Sequence, residues 1–132
     1  MSKREFLLSL LALTGQSARG AKTGKFLQLT LYDRMPAILF PGYFAAIDRH
    51  YVPETRKARG LISYQRFHHY DLPEKVSLEL WESEQAAKAW HDGEQAKRAW
   101  SRAVAAMPAG VPLEYRTAMH SMPHHHYILD EA

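Results

Sequence analysis

The chain has 132 residues, of which 46% are hydrophobic and 23% are charged. This length and composition fit one globular domain with a sizeable core, and they exclude a disordered chain or a two-domain enzyme. The sequence contains no cysteine, which also excludes disulfides, zinc–thiolate sites and iron–sulfur clusters.

The net charge of +3 comes from the beginning of the chain. Residues 1–25 carry five basic side chains and one acidic side chain, whereas the remaining residues carry 12 basic and 13 acidic ones. The globular part is therefore nearly neutral, and this balance does not favour nucleic acid as a partner.

Residues 1–22 form an N-terminal apolar segment with two interpretations. A charged start, the apolar run Phe6–Leu13 and small residues up to Gly20 are the three parts of an export signal. The opening resembles a twin-arginine signal in which Lys3 stands at the first arginine position. The alternative is an amphipathic helix that packs on the domain or on a partner chain of a cytoplasmic protein. The apolar run is much shorter than the roughly 20 residues of a membrane span, so no span is expected.

The first half of the domain predicts a strand and a helix. Side chains alternate between two faces from Lys25 to Asp33, which is typical of a strand. A loop with two prolines is expected from Met35 to Gly42. Apolar residues at helical spacing predict a helix over 43–51, which Pro53 must kink or end because it lacks an N–H group. Gly60 ends the segment.

The second half predicts a hairpin, a broken helix and a last strand. Leu61–Tyr70 and Lys75–Trp81 alternate like strands and are joined by a short turn. Ser83 can cap an alanine-rich helix that runs to Ala106 and is broken at 92–93. Leu113–His120 is the predicted fourth strand.

The element order β-α-β-β-α-β is that of an α+β, ferredoxin-like fold. It has a four-stranded antiparallel sheet with both helices on one face. The other face needs a cover, and a second copy of the sheet is the usual solution, so we expect a homodimer. The expected domain covers residues 23–122, followed by a histidine-containing tail over 123–132.

Several segments resemble the antibiotic biosynthesis monooxygenase (ABM) family of the dimeric α/β-barrel superfamily. They are Val52-Pro53-Glu54-Thr55-Arg56, Gly60-Leu61-Ile62-Ser63-Tyr64, Leu78-Glu79-Leu80-Trp81-Glu82-Ser83 and Ala89-Trp90-His91. The resemblance covers roughly residues 25–120 and implies a dimeric α/β barrel. That family includes quinone-forming oxygenases that need no cofactor, haem-degrading enzymes and isomerase-like members. Trp90 matches the tryptophan of the haem-degrading branch, but Thr30 and Trp100 stand where that branch has asparagine and histidine. The resemblance therefore does not extend to haem degradation.

The candidate site is the space between the sheet and the helices. Tyr64, Arg66 and His68 share one strand face and are the predicted catalytic residues, with His68 as the base. Arg66 could hold an oxyanion. Substrate-binding side chains are predicted to come mainly from large aromatics that sandwich a planar compound: Tyr32, His50, Trp81, Trp90 and Trp100. The alternative for each aromatic is a core residue with one satisfied polar atom, and for His50 a structural role.

The histidines near the C-terminus do not predict a physiological metal site. His120 and His124–His126 can bind metal ions, but no carboxylate lies between them at ligand spacing. His68 and His69 point to opposite faces of a strand and cannot share one ion.

These features favour a cofactor-independent monooxygenase, or a related proton-transfer enzyme, that acts on a small aromatic or polyketide-like compound. The alternative is a non-catalytic protein that holds haem or another planar ligand in the same pocket. A third possibility is a structural dimer whose pocket is vestigial.

Overall fold

A computed structural model of the chain describes residues 24–117 and 124–130. The export-signal and N-terminal-helix interpretations of residues 1–22 lie outside these described residues. The elements follow one another as β1 (Phe26–Leu31), a 3₁₀ turn (Ala37–Leu39), α1 (Phe40–His50), α2 (Val52–Arg56), β2 (Leu61–His68), β3 (Lys75–Trp81), α3 (Glu84–His91), α4 (Glu94–Ala106), a second 3₁₀ turn (Leu113–Tyr115) and β4 (His124–Ile128). None of the described helices is long and apolar enough to cross a membrane.

The four strands form one antiparallel sheet in the order β2-β3-β1-β4. The first strand lies inside the sheet, with Phe26 opposite Trp81 of β3 on one side and opposite Ile128 of β4 on the other. The predicted α+β, ferredoxin-like fold is therefore confirmed.

Local chemistry explains the helix boundaries. The Ser83 hydroxyl accepts a hydrogen bond from the Ala86 N–H at 3.1 Å, as predicted for an N-cap. Gly93 has an extended backbone and separates α3 from α4. Pro53 lies in the first turn of α2, where its missing N–H costs no helical hydrogen bond.

The loop predicted over 35–42 is shorter in the structure. A 3₁₀ turn at Ala37–Leu39 leads directly into α1, which begins at Phe40. Pro41 lies in the first turn of this helix, a position that favours proline. Pro41 is therefore compatible with the start of the helix and does not extend the loop.

The prediction of a fourth strand over Leu113–His120 is wrong for residues 113–117, and residues 118–120 lie outside the described part of the chain. Leu113–Tyr115 is a 3₁₀ turn, and it buries Tyr115, whose hydroxyl accepts a hydrogen bond from the Arg34 N–H at 3.0 Å. The strand that completes the sheet is His124–Ile128, inside the segment expected to be a tail. The run of histidines does not alternate between apolar and polar residues, so the sequence gives no strand pattern here. An edge strand can nevertheless be held by backbone pairing alone.

The side chains of β1 and β3 divide between two buried clusters. One cluster includes Phe26, Tyr32 and Trp81 together with apolar residues of the helices, so it lies on the helix-facing side. The opposite side carries only aliphatic residues in its buried set: Leu27, Leu29, Val76, Leu78 and Leu80.

Candidate functional site

Polar side chains lie in rows across the helix-facing side of the sheet. Gln28 is opposite Glu79, which in turn is opposite Tyr64. The neighbouring row comprises Thr30, Ser77 and Arg66. The polar residues that β1 and β3 contribute to these rows are all buried. Burying polar groups costs free energy unless they find partners, so this layer differs from an ordinary core.

A chain of hydroxyl groups connects the predicted residues Tyr32, Tyr64 and Arg66. The Tyr64 hydroxyl donates to Ser77 Oγ at 3.4 Å, and the Ser77 hydroxyl donates to Tyr32 Oη at 3.2 Å. Arg66 Nη2 donates to Tyr64 Oη at 3.3 Å. Burial raises the pKa of both tyrosines above the ordinary value, so both remain hydrogen-bond donors near neutral pH.

Arg66 is held between β2 and α1. Its two terminal nitrogens donate to the two carboxylate oxygens of Asp48 at 3.1 and 2.7 Å. The guanidinium carbon lies 4.1 Å from the ring centre of Phe44. Burial lowers the pKa of Arg66, but the bonds to Asp48 and the contact with Tyr64 outweigh it and raise the pKa overall. A fixed positive charge therefore stands at the end of the hydroxyl chain.

A buried carboxylate and imidazole meet where β3 faces α3. The Trp81 indole N–H donates to Glu79 Oε1 at 2.9 Å. His91 Nε2 lies 3.1 Å from the same oxygen, although the direction of its N–H does not give an aligned hydrogen bond. Glu79 is 3% exposed and His91 is 8% exposed. Buried acidic and basic groups in contact are typical of functional sites, and also of structural ion pairs.

Aromatic side chains cover this pair from the helical side. The ring centre of Tyr51 lies 5.2 Å from that of Trp100 and 6.2 Å from that of Trp90. Within the described part of the chain, several buried polar atoms of this region make no well-aligned hydrogen bond: Gln28 Nε2, Tyr51 Oη, Trp90 Nε1, His91 Nε2 and Trp100 Nε1. Of these, Tyr51 and Trp90 still interact with each other, and His91 contacts Glu79. Such atoms are costly in a closed core, and a bound polar ligand would satisfy them.

The structure brings most of the predicted site residues into two neighbouring groups. Tyr32, Tyr64 and Arg66 share the hydroxyl chain, while the three tryptophans surround the Glu79–His91 pair or pack against Tyr51. His68 lies exposed near the end of β2, opposite Lys75, and His50 is half-buried at the last residue of α1. No contact in the described residues joins either histidine to the two groups. The role of His68 as base stays a hypothesis.

Sequence reasoning missed Glu79, His91 and Tyr51. A signal existed for Glu79, because strand alternation places it on the same face as Ser77 and Trp81. His91 directly follows the predicted Trp90, yet nothing in the sequence indicates that its ring reaches β3.

His125 and His126 of β4 lie on different faces. His126 is opposite Gln28, and its ring centre is 4.9 Å from that of Phe26, so it faces the helices. His125 is opposite Leu29, which belongs to the aliphatic cluster. Over residues 24–117 and 124–130, no three His, Asp or Glu side chains are grouped so as to hold a metal ion.

The fold and this polar layer define a ferredoxin-like domain with a candidate site between sheet and helices. The model of the antibiotic biosynthesis monooxygenase family matches residues 42–102, a range that runs from α1 to α4. Residues 42–102 thus belong to that family, and the resemblance found in the sequence is confirmed. No curated protein matches the chain.

Solved structures share the fold at low sequence identity. A conserved protein from Methanosarcina mazei Go1 is 12% identical, with a TM-score of 0.57, over 82% of this chain and 95% of that one. A candidate antibiotic biosynthesis monooxygenase from Caulobacter crescentus CB15 is 13% identical, with a TM-score of 0.57, over 83% and 92%. A second such candidate, from Chloroflexus aurantiacus J-10-fl, is 14% identical, with a TM-score of 0.54, over 83% and 96%. At this identity the likeness concerns the fold alone.

Proposed function

We propose that the protein is a monooxygenase that oxidises a small aromatic or polyketide-like compound without a cofactor. The observation that carries this proposal is the buried hydroxyl chain from Tyr32 through Ser77 and Tyr64 to Arg66. It offers hydrogen-bond donors and a fixed positive charge beside large aromatic side chains. A flat, oxygen-bearing molecule is the kind of ligand that such a layer accommodates.

The chemistry follows from the ionisation of the substrate. A hydroxyaromatic compound that loses a proton becomes an electron-rich anion, and this anion can reduce molecular oxygen directly. One oxygen atom ends as a carbonyl on the former CH₂ carbon of the substrate, and the other leaves as water. The Arg66 guanidinium and the Tyr64 hydroxyl would stabilise the negative charge on the substrate oxygen.

Anthrone is a suitable probe because its oxidation by oxygen gives anthraquinone and water. We expect the protein to consume one oxygen molecule per anthraquinone, followed with an oxygen electrode and by absorbance. Arg66→Met should lower kcat by about 10²-fold or more, the usual cost of losing an oxyanion donor.

Arg49→Met is the matched control, because Arg49 is an exposed arginine of α1. Oxidation no faster than in buffer would contradict the proposed function. Full turnover by Arg66→Met would contradict the role of the guanidinium.

The proposal includes a homodimer, because the family resemblance implies one. A planar ligand held without turnover is the competing outcome, and it would show as binding of anthrone with no oxygen uptake.

A further inference from the structure

Glu79 and His91 bring two proton-accepting groups into contact. Glu79 Oε1 and His91 Nε2 are 3.1 Å apart, and both side chains are buried. With only the proton that a neutral imidazole carries, the pair has a net charge of −1 in a buried position.

A second proton would make the pair electrically neutral overall, as imidazolium beside carboxylate. A buried net charge costs more than a buried, contacting ion pair. Trp81 fixes the carboxylate through its N–H, which keeps it oriented toward the imidazole.

A ligand that delivers this proton finds hydrogen-bond donors close by. Gln28 is opposite Glu79 in the sheet, and Tyr51 is close enough to Glu79 for the two to interact electrostatically. Among the described residues, Gln28 Nε2 is buried without a hydrogen-bond partner, whereas Tyr51 Oη and Trp90 Nε1 make no well-aligned hydrogen bond but interact with each other. Trp90 and His91 keep 9% and 8% of their surface exposed, although their indole and imidazole nitrogens Nε1 and Nε2 are buried.

We propose that the Glu79–His91 pair is the proton acceptor of the site, and that the ligand is an aromatic compound with an acidic O–H or C–H group beside an oxygen acceptor. The O–H or C–H bond breaks, its electron pair stays on the substrate, and the proton goes to the pair. Tyr51, Trp90 and Gln28 donate hydrogen bonds to the substrate oxygens. This inference rests on the proposed function for the reaction that follows, and it replaces His68 as the base.

The first experiment measures anthrone oxidation by His91→Gln and Glu79→Gln. Both variants should lower kcat about 10²-fold or more, the usual contribution of a general base, with KM little changed. His91→Gln should also lose the acid limb of the kcat–pH profile. Glu79 contacts His91, and His126 interacts with it electrostatically. Glu84 acts on His126 and Tyr51 interacts with Glu79, so these two groups could also shape this limb. The exposed residues Glu82 and His125 supply the matched controls Glu82→Gln and His125→Gln.

The second experiment needs no turnover. 4-Nitrophenol absorbs differently as phenol and as phenolate, so its absorbance reports whether the bound probe has given up its proton. We expect the wild-type protein to bind it as phenolate at a pH where the free probe is mostly phenol. His91→Gln and Glu79→Gln should instead bind the probe as the neutral phenol.

The outcomes separate the two proposals. If the wild type oxidises anthrone and both variants keep its rate and pH profile, the proton-acceptor role is overturned and the function stands. The same holds if His68→Asn abolishes turnover while His91→Gln does not. If anthrone is not oxidised but 4-nitrophenol is bound as phenolate by the wild type alone, the pair is supported and the oxygenase function fails. If the wild type neither oxidises anthrone nor binds 4-nitrophenol as phenolate, both proposals are overturned.

Discussion

The two faces of the sheet are built from the same strands but differ in chemistry. On β1, Leu27 and Leu29 point away from the helices, while Gln28 and Thr30 point toward them. On β3, Leu78 and Leu80 alternate in the same way with Ser77, Glu79 and Trp81. Both faces are buried to a similar degree.

This comparison shows that burial alone does not determine composition. The aliphatic face gains free energy from every methyl group it removes from water. The helix-facing side instead buries a carboxylate, an amide, hydroxyls and an imidazole, each of which costs free energy unless it is paired. Stability alone would favour the aliphatic solution on both faces, and the polar face is the side on which we propose the functional site.

The largest expected difference between the faces appears at alkaline pH. Burial raises the pKa of Tyr32, Tyr43, Tyr51 and Tyr64 above the ordinary value of 10.0. The folded protein then holds these protons longer than the unfolded chain does. The contribution of these tyrosines to the free energy of unfolding should therefore be constant well below pH 10 and fall as the pH rises above it.

Urea denaturation at a series of pH values, with tyrosinate absorbance recorded in parallel, checks this. Ionisation of all the tyrosines near their ordinary pKa in a protein that stays folded would contradict it.

Breaking the Glu79–His91 pair tests the cost of the polar face. Glu79→Ala leaves a buried imidazole without its partner, and we expect a loss of about 3–5 kcal/mol in the free energy of unfolding. The double variant Glu79→Leu/His91→Leu removes both polar groups and should be neutral or more stable than wild type by about 1–4 kcal/mol. Chemical denaturation measures both. A double variant as unstable as Glu79→Ala would mean that the pair serves stability.

The aliphatic face should respond in the opposite manner. Leu78 is fully buried, and Leu78→Ala should cost about 2–5 kcal/mol through lost burial and a cavity. At a temperature where the variant is folded, its anthrone turnover should match wild type, because Leu78 faces away from the site. A large fall in kcat for folded Leu78→Ala would show that the two faces are coupled.

Much of this fold could be predicted from local patterns. Two-residue alternation located β1 and β3, and Ser83 with Gly93 marked where α3 and α4 begin. The pattern failed for β4, because His124–Ile128 lacks alternating apolar residues and is held as an edge strand by pairing with β1. At Leu113–Tyr115 the pattern predicted a strand where the structure has a turn. A turn that buries one tyrosine between more exposed neighbours has the same apolar–polar alternation as a short strand.

The site was predictable only within single elements. Alternation along β2 placed Tyr64 and Arg66 on one face, and the structure adds their contacts with Ser77 and Asp48. The approach of His91 to Glu79 depends on how α3 packs against β3, and sequence spacing carries no information on that distance.

The position of β1 has a consequence for the order of folding. Ribosomes synthesise this strand before the other three, yet its partners are β3 and β4, and β4 comes last in the chain. The β2–β3 hairpin is local and can close early, whereas docking of β1 must wait for contacts that close long loops. We therefore expect the hairpin to act as the template onto which the earliest strand is added, with β4 pairing with the exposed edge of β1 last.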